Sequence, residues 1–308
     1  MILSNIYIYY IFLVNYKMCV ISYMSFENNI ILFKNRDRLY DARIKIIHEI
    51  RDRIEICYLL DIDTNWIEGL NEYGISLLNS ALLVKNDELE GTHRTNNKGS
   101  DGEKILKALC NKSLKYTLAS LLTYTGGSNI PLMGHTIVAN QSLVVHLETT
   151  TKNKPIIKKI TKNKLVLTNH GIETDSGYKS GRKKKSSLLR KNIIEKEIDS
   201  LQKFKYNQYL IFKIFSKNYE HLDARFHPYR SKEHSIKYLN NFPTPETKIF
   251  STTSQIFINT TQLKFIVGVD KKHGIFYGYE NKLPKGYLPK ITFEIFSICK
   301  EDNLSNLP

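Results

Sequence analysis

Met18-Cys19-Val20-Ile21-Ser22-Tyr23, followed by Asn29-Ile30-Ile31-Leu32-Phe33 and then Lys34-Asn35-Arg36-Asp37, is the stretch on which the reading of this chain turns. Two short apolar runs rich in β-branched residues, with a polar break between them, predict a strand hairpin. A cysteine in such a run is ordinarily a small core residue. The position of Cys19 directly after a methionine opens a second reading. If the chain began at Cys19, one carbon would carry both a free amine and the thiol. An α-amine titrates near about 7.7–8.0, so it can take the thiol proton near neutral pH, and nucleophile and base then share a residue. Asp37 ends the stretch, and a hairpin would return its carboxylate to the side of Cys19, where it can hold that amine.

More blocks follow in order: Asn71-Glu72-Tyr73-Gly74-Ile75, Leu167-Thr168-Asn169, Ser186-Ser187-Leu188-Leu189-Arg190 and Thr252-Thr253-Ser254. Together with the Cys19 and Asn35-Arg36-Asp37 segments they resemble the cysteine-type N-terminal-nucleophile hydrolases. That group includes bile salt hydrolases, penicillin V acylases and acyl-coenzyme A:6-aminopenicillanate acyltransferases. The resemblance runs from about residue 18 to 270. It implies an α+β fold, the four-layered αββα sandwich. It also implies a hydrolase of non-peptide amide bonds, or an acyltransferase, working through an acyl-enzyme on Cys19 with a small-molecule amide or acyl substrate.

The resemblance assigns residues as well. Asn79 and Asn169 become the oxyanion candidates, since an Asn amide can donate to a developing negative oxygen. Asn71 is the rival of Asn79, and it also suits the turn it occupies. Arg190, after the paired serines, would carry charge into the Cys19 pocket. Lys34 stands where the family commonly has Arg, and it lacks the planar fork of a guanidinium. Arg36 is the alternative charge partner, set against which is the opposite facing of adjacent strand positions. No cofactor and no metal are implied.

Composition sets the bounds. A chain of 308 residues that is 42% hydrophobic can bury a full core. We read an extension over residues 1–18 and one catalytic domain over 19–308. The net charge of +15 would suit an anionic partner, but lysine is spread along the chain rather than striped, so nucleic-acid binding is not the expected role. A different class of function remains: a basic binding protein that uses residues 179–191 on an anionic partner, with the fold kept and the chemistry lost. A homo-oligomer is left open. Cys19, Cys57, Cys110 and Cys299 are far apart and make no CxxC pair, which argues against a cysteine zinc site and a disulfide framework. A reducing, cytoplasmic setting is the default and would keep a nucleophilic thiol usable. Residues 1–14 are apolar and aromatic but lack a basic leading segment and a small-x-small cleavage site. They are too few to span a bilayer. We expect a start set upstream of the true one, with a propeptide or a weak signal anchor as the other readings.

Along the chain, strands are expected at 19–23, 30–33, 44–47, 54–60 and 75–78, with Gly69 and Gly74 bracketing a turn and an exposed loop over 85–103. A 3.6-residue period from 103 to 122 predicts two helices broken near Asn111. Strands at 136–139, 142–147, 156–160 and 165–168 suggest a meander. A helix over 186–203, capped by Ser186 or Ser187, and another over 206–216 precede closing strands at 249–257, 263–269 and 274–279. This succession predicts two stacked sheets with helices outside.

Overall fold

The hairpin that carries Cys19 is formed by β1 (Met18–Phe26) and β2 (Asn29–Arg38), which pair antiparallel along their whole length. Glu27 and Asn28 join them with φ of 44° and 61°. Positive φ at both turn residues is the type I′ geometry, whose twist matches that of the flanking strands. The register sets Cys19 opposite Arg36 and Met18 opposite Asp37. The chain therefore returns beside Cys19, as the hairpin reading requires.

A computed structural model describes residues 18–38, 44–62, 65–80, 82, 100–122, 132–150, 155–173, 182–207, 251–270, 276–282 and 292–296. After the first hairpin come β3 (Ile44–Arg51), β4 (Ile54–Asp61), β5 (Trp66–Asn71) and β6 (Ser76–Ser80). Helices α1 (Ser100–Leu109) and α2 (Leu114–Leu122) follow. Next are β7 (Gly134–Ala139), β8 (Val144–Thr149), β9 (Ile156–Lys159) and β10 (Lys164–Leu167), then α3 (Arg182–Leu201). The described chain closes with β11 (Ser251–Asn259), β12 (Lys264–Asp270), β13 (Phe276–Lys282) and β14 (Thr292–Phe296).

The strands make two antiparallel sheets, ordered β10-β1-β2-β11-β12-β13-β14 and β3-β4-β5-β6-β7-β8-β9. Three apolar clusters fix how the layers stack. Ile21, Tyr23 and Leu32 of one sheet meet Cys57, Leu59, Leu78 and Ile137 of the other. On the far face of the second sheet, Ile56, Tyr58 and Leu77 pack on Leu106 and Leu109 of α1 and Leu121 of α2. On the far face of the first, Val20, Ile31 and Phe33 pack on Ile194 and Ile198 of α3. Period-2 alternation explains the division, because odd positions of β1 face the second sheet and even ones face α3. Each Leu, Ile or Phe fully removed from water here contributes about 1.5–3 kcal/mol.

Several expectations are revised in detail. The meander holds through β7, β8 and β9, but β10 leaves it and pairs with β1, so the turn at Thr161–Lys164 is a crossing between sheets. Helix α3 begins at Arg182 rather than near Ser186, which puts Ser187 inside the helix and not at its cap. Strands β5 and β14 were not foreseen, and Gly69, expected at the edge of a turn, lies within β5. The loop over 85–99 and most of the helix expected at 206–216 lie outside the described residues. So do residues 1–17. Gly74 closes the β5–β6 turn with φ of 75°, a conformation glycine adopts without strain.

A tight approach makes one glycine informative. In α1, a Cβ at Gly102 would fall 1.7 Å from the backbone oxygen of Asn65. Gly to Ala inside a helix normally stabilises by about 1 kcal/mol, but here the obstacle is backbone and cannot swing aside. Gly102→Ala is therefore expected to destabilise, by roughly 1–3 kcal/mol as for other overpacking changes. A raised urea midpoint for this variant would contradict the packing of α1 on the β4–β5 turn.

Candidate active site around Cys19

Cys19 lies on the inter-sheet face of β1, 2% exposed, near the strand's start. Its backbone nitrogen donates to Asn169 Oδ1 at 3.2 Å. Arg190, from the third turn of α3, donates through Nη2 to the same Asn169 oxygen at 3.0 Å and through Nη1 to the Cys19 carbonyl at 3.2 Å. Arg190 is 1% exposed. One guanidinium thus clamps both the main chain of Cys19 and the amide that receives its nitrogen. A planar fork with fixed donors does this where an ammonium could not.

Asn169 follows β10, which pairs with β1 through Ile21 and Leu167. That pairing brings position 169 alongside position 19 across 150 residues of sequence. Its neighbours lock it. Ser187 Oγ accepts from the Asn169 backbone nitrogen at 3.1 Å and donates to Thr168 Oγ1 at 2.7 Å. His170 Nδ1 lies 2.8 Å from the same Ser187 oxygen. The Asn169 Nδ2 group donates to Ser80 Oγ over a longer 3.3 Å. A buried polar set with its donors and acceptors matched is rigid, so the Asn169 amide has one orientation: oxygen toward Cys19 nitrogen, nitrogen toward Ser80.

Positive charge reaches the site from β2. Lys34 and Arg36 are two residues apart, so they share one face, and that face is also the one Cys19 occupies. The expected opposition of facing does not arise. Lys34 Nζ pairs with Glu68 and donates to the Asn79 carbonyl at 2.5 Å. Arg36 Nη2 pairs with Asp61 Oδ2 at 2.8 Å. All four side chains are almost wholly buried. Burial pushes the Lys34 ammonium below its usual range, while the charges of Glu68 and of the Cys19 sulfur work to keep it protonated. Lys34 is thus electrostatically coupled to the thiol even though its closest partner is a carboxylate.

Two expected site residues are corrected on geometry. Asn79 uses Nδ2 on the Met133 carbonyl at 3.2 Å and on Thr136 Oγ1 at 2.7 Å, while its Oδ1 has no hydrogen-bond partner among the described residues. Strand alternation sets Asn79 with Leu77 on the helix-covered face; Ser80, with Leu78, faces Cys19. An oxyanion donor at Asn79 is therefore not what the strand provides. Asn71 accepts through Oδ1 from Tyr73 and Ile75 and donates through Nδ2 to the carbonyls of Leu109 and Asn111. It pins the β5–β6 turn to the end of α1 and is a structural residue. For Asp37, the backbone lies opposite Met18 and Thr252; its carboxylate lies outside the described residues.

Sequence reasoning did not single out Ser80, Asp61 or Glu68, and it gave Ser187 only a capping role. A signal for Glu68 was present. In Trp66–Asn71 it shares the period-2 face of Leu70, and a carboxylate on a core face needs a cation.

Beyond Asn169, His135 on β7 is fully buried and close to His146 on β8, with ring nitrogens 3.0 Å apart. Burial first, and then the neighbouring His146 ring, lower His135 to about 4. No helix among the described residues is long and apolar enough to cross a membrane.

Comparison with known proteins addresses the fold. No family profile matches the sequence, and no curated protein does either. Among solved structures, a mutant of the conjugated bile acid hydrolase from Clostridium perfringens matches with a TM-score of 0.51 at 13% identity, covering 94% of this chain and 100% of that one. The N-acylethanolamine-hydrolyzing acid amidase ortholog of Caenorhabditis elegans gives a TM-score of 0.47 at 13% identity, over 79% and 93%. Penicillin V acylase from Agrobacterium tumefaciens gives 0.42 at 10%, over 87% and 86%. The first match shows that this chain shares the fold of that conjugated bile acid hydrolase.

Proposed function

We propose that the chain is an amidase of non-peptide carbon–nitrogen bonds, working through an acyl-enzyme on Cys19 after residues 1–18 are removed. The observation that carries this reading is the hydrogen bond from Cys19 nitrogen to Asn169 Oδ1, with Arg190 holding both partners. Any buried backbone N–H needs an acceptor; what a core strand would not need is Arg190 holding both the Cys19 carbonyl and the amide oxygen that receives its nitrogen. An α-amine at that place needs such a grip, because it must be aimed at its own sulfur.

In the proposed cycle the freed amine rests on Asn169 Oδ1, with the Asp37 carboxylate as its second acceptor. It takes the thiol proton, and the sulfur attacks the amide carbonyl. The carbonyl oxygen becomes an anion that Asn169 Nδ2 receives, giving up its long bond to Ser80. Losing one such donor costs other enzymes about 2.7–4 kcal/mol of barrier. The amine passes its proton to the departing nitrogen, the carbon–nitrogen bond breaks, and a thioester remains on Cys19. Water then attacks the thioester, the amine taking its proton, and the carboxylic acid leaves as the sulfur is released. An amine in place of water would make the same site an acyltransferase. Lys34 keeps positive charge near the sulfur between turnovers.

The test is a chromogenic linear amide offered to protein whose first residue is Cys19. Turnover is expected there and not in protein with residues 1–18 attached. Absence of turnover on a panel of acyl lengths, with thiol labelling intact, would leave the basic binding protein.

A further inference from the structure

The second buried polar cluster lies on the same inter-sheet face, farther along the second sheet. In the β7–β8 register His135 is opposite Glu148, and Ile137 is opposite His146. All three polar side chains therefore point to one face, together with Val144 and Ile137. Each is no more than 3% exposed. His135 Nε2 is 2.8 Å from the carbonyl oxygen of His170. A carbonyl only accepts, so the proton of His135 is on Nε2 and its Nδ1 carries a lone pair. That lone pair faces His146 Nε2 at 3.0 Å and Glu148 Oε2 at 3.7 Å. The Glu148 carboxylate is itself fixed, with Oε2 accepting from the backbone nitrogens of Ile172 and Glu173 at 3.0 Å each.

We infer that His135 Nδ1, His146 Nε2 and a Glu148 carboxylate oxygen form a binding site for one divalent transition-metal ion, Zn²⁺ by the chemistry of the donors. The three ligand atoms lie within 4.8 Å of one another. Ligands at about 2.0–2.2 Å in tetrahedral array stand roughly 3.3–3.5 Å apart; the two pairs that involve His135, at 3.0 and 3.7 Å, bracket that spacing, and the His146–Glu148 pair lies within 4.8 Å. Two imidazoles and one carboxylate are a zinc-type set that leaves a fourth position for water. The outer partners match as well. A ligating histidine typically donates its second ring N–H to a carbonyl, and a ligating carboxylate is held by hydrogen bonds; His170 and the nitrogens of Ile172 and Glu173 fill those places. The ion takes the position of the proton that the two rings share. The His146 proton moves from Nε2 to Nδ1, so both rings stay neutral and no proton is released.

The site has a structural consequence. It ties β7 and β8 to the segment at 170–173, directly after Asn169.

The experiment uses the full chain, stripped with a chelator and equilibrated with Zn²⁺ alone, followed by desalting and elemental analysis. One retained ion per chain is expected in the wild type and equally in Cys19→Ala, which excludes the thiol as the ligand. His146→Gln and Glu148→Gln should each lose retention. Glu148→Gln keeps a carbonyl for the nitrogens of Ile172 and Glu173, and circular dichroism checks that the variants fold. Co²⁺ in place of Zn²⁺ should give visible d–d bands without sulfur-to-metal charge transfer. No retained ion in the wild type, retention that survives His146→Gln, or retention lost in Cys19→Ala would each overturn the assignment.

Discussion

Cys19→Ala, made in a chain that begins at residue 19, is expected to bring amide turnover below detection and to remove the reactive thiol at that position. The reason lies in the division of labour. The amine supplies only a proton path, and the bond to the acyl group must be made by the side chain. Alanine leaves Asn169 and Arg190 in place, since both bond the main chain of residue 19 rather than its side chain, so the fold should survive. Cys19→Ser is the more informative partner. Oxygen can still attack with help from the amine, but it ionises far less readily than sulfur, so a trace of activity is expected. Equal and complete loss in both variants would show that the amine does not serve as the base. Unchanged turnover in Cys19→Ala would remove Cys19 from the chemistry altogether.

The second large effect concerns stability. Lys34→Met should destabilise the protein by about 3–5 kcal/mol, the usual cost of breaking a buried ion pair from one side. It leaves the Glu68 carboxylate, which is wholly buried, without its ammonium. Arg36 Nε is 3.9 Å from Glu68 Oε2, too far to replace the lost contact. Changing Lys34→Met and Glu68→Leu together should restore much of the loss, because the penalty comes from an unpaired charge rather than from missing attraction. Urea unfolding of the two single variants and the double variant closes the cycle. A cost below about 1 kcal/mol for Lys34→Met would contradict a buried carboxylate that depends on this ammonium.

What could be read in the sequence was what depends on local pattern. The first hairpin, the helix break near Asn111 and the strands of the second sheet other than β5 follow from period and turn residues, and the structure has them within a few residues of the expected ends; β5 was not foreseen, because Gly69 read as the edge of a turn although it lies within the strand. Asn169 and Arg190 were legible only through the order of short blocks; their grip on Cys19 depends on β10 crossing to the first sheet, which no local signal encodes. The face of a strand residue was where reading failed. Asn79 and Ser80 are adjacent, and a shift of one position exchanges the site face for the helix-covered face. The same period put Lys34 and Arg36 on one side together. Ser187 looked like a cap because paired serines open helices, yet α3 starts five residues earlier and places it in the interior beside Thr168 and His170. Glu27-Asn28 and Asp52-Arg53 make tight turns with positive φ and no glycine, so the hairpins they close carried no glycine signal.

The proposed chemistry requires a free amine at Cys19. Intact-mass measurement of the catalytically active protein tests it most directly, read alongside the rate of the same sample. The predicted result is that all activity belongs to a species whose mass is that of a chain beginning at Cys19, and that incubation with an activated amide adds one acyl mass to that species. Full activity in a species that still carries residue 18 would contradict it, because the nitrogen of Cys19 would then be an amide and no base for its own sulfur.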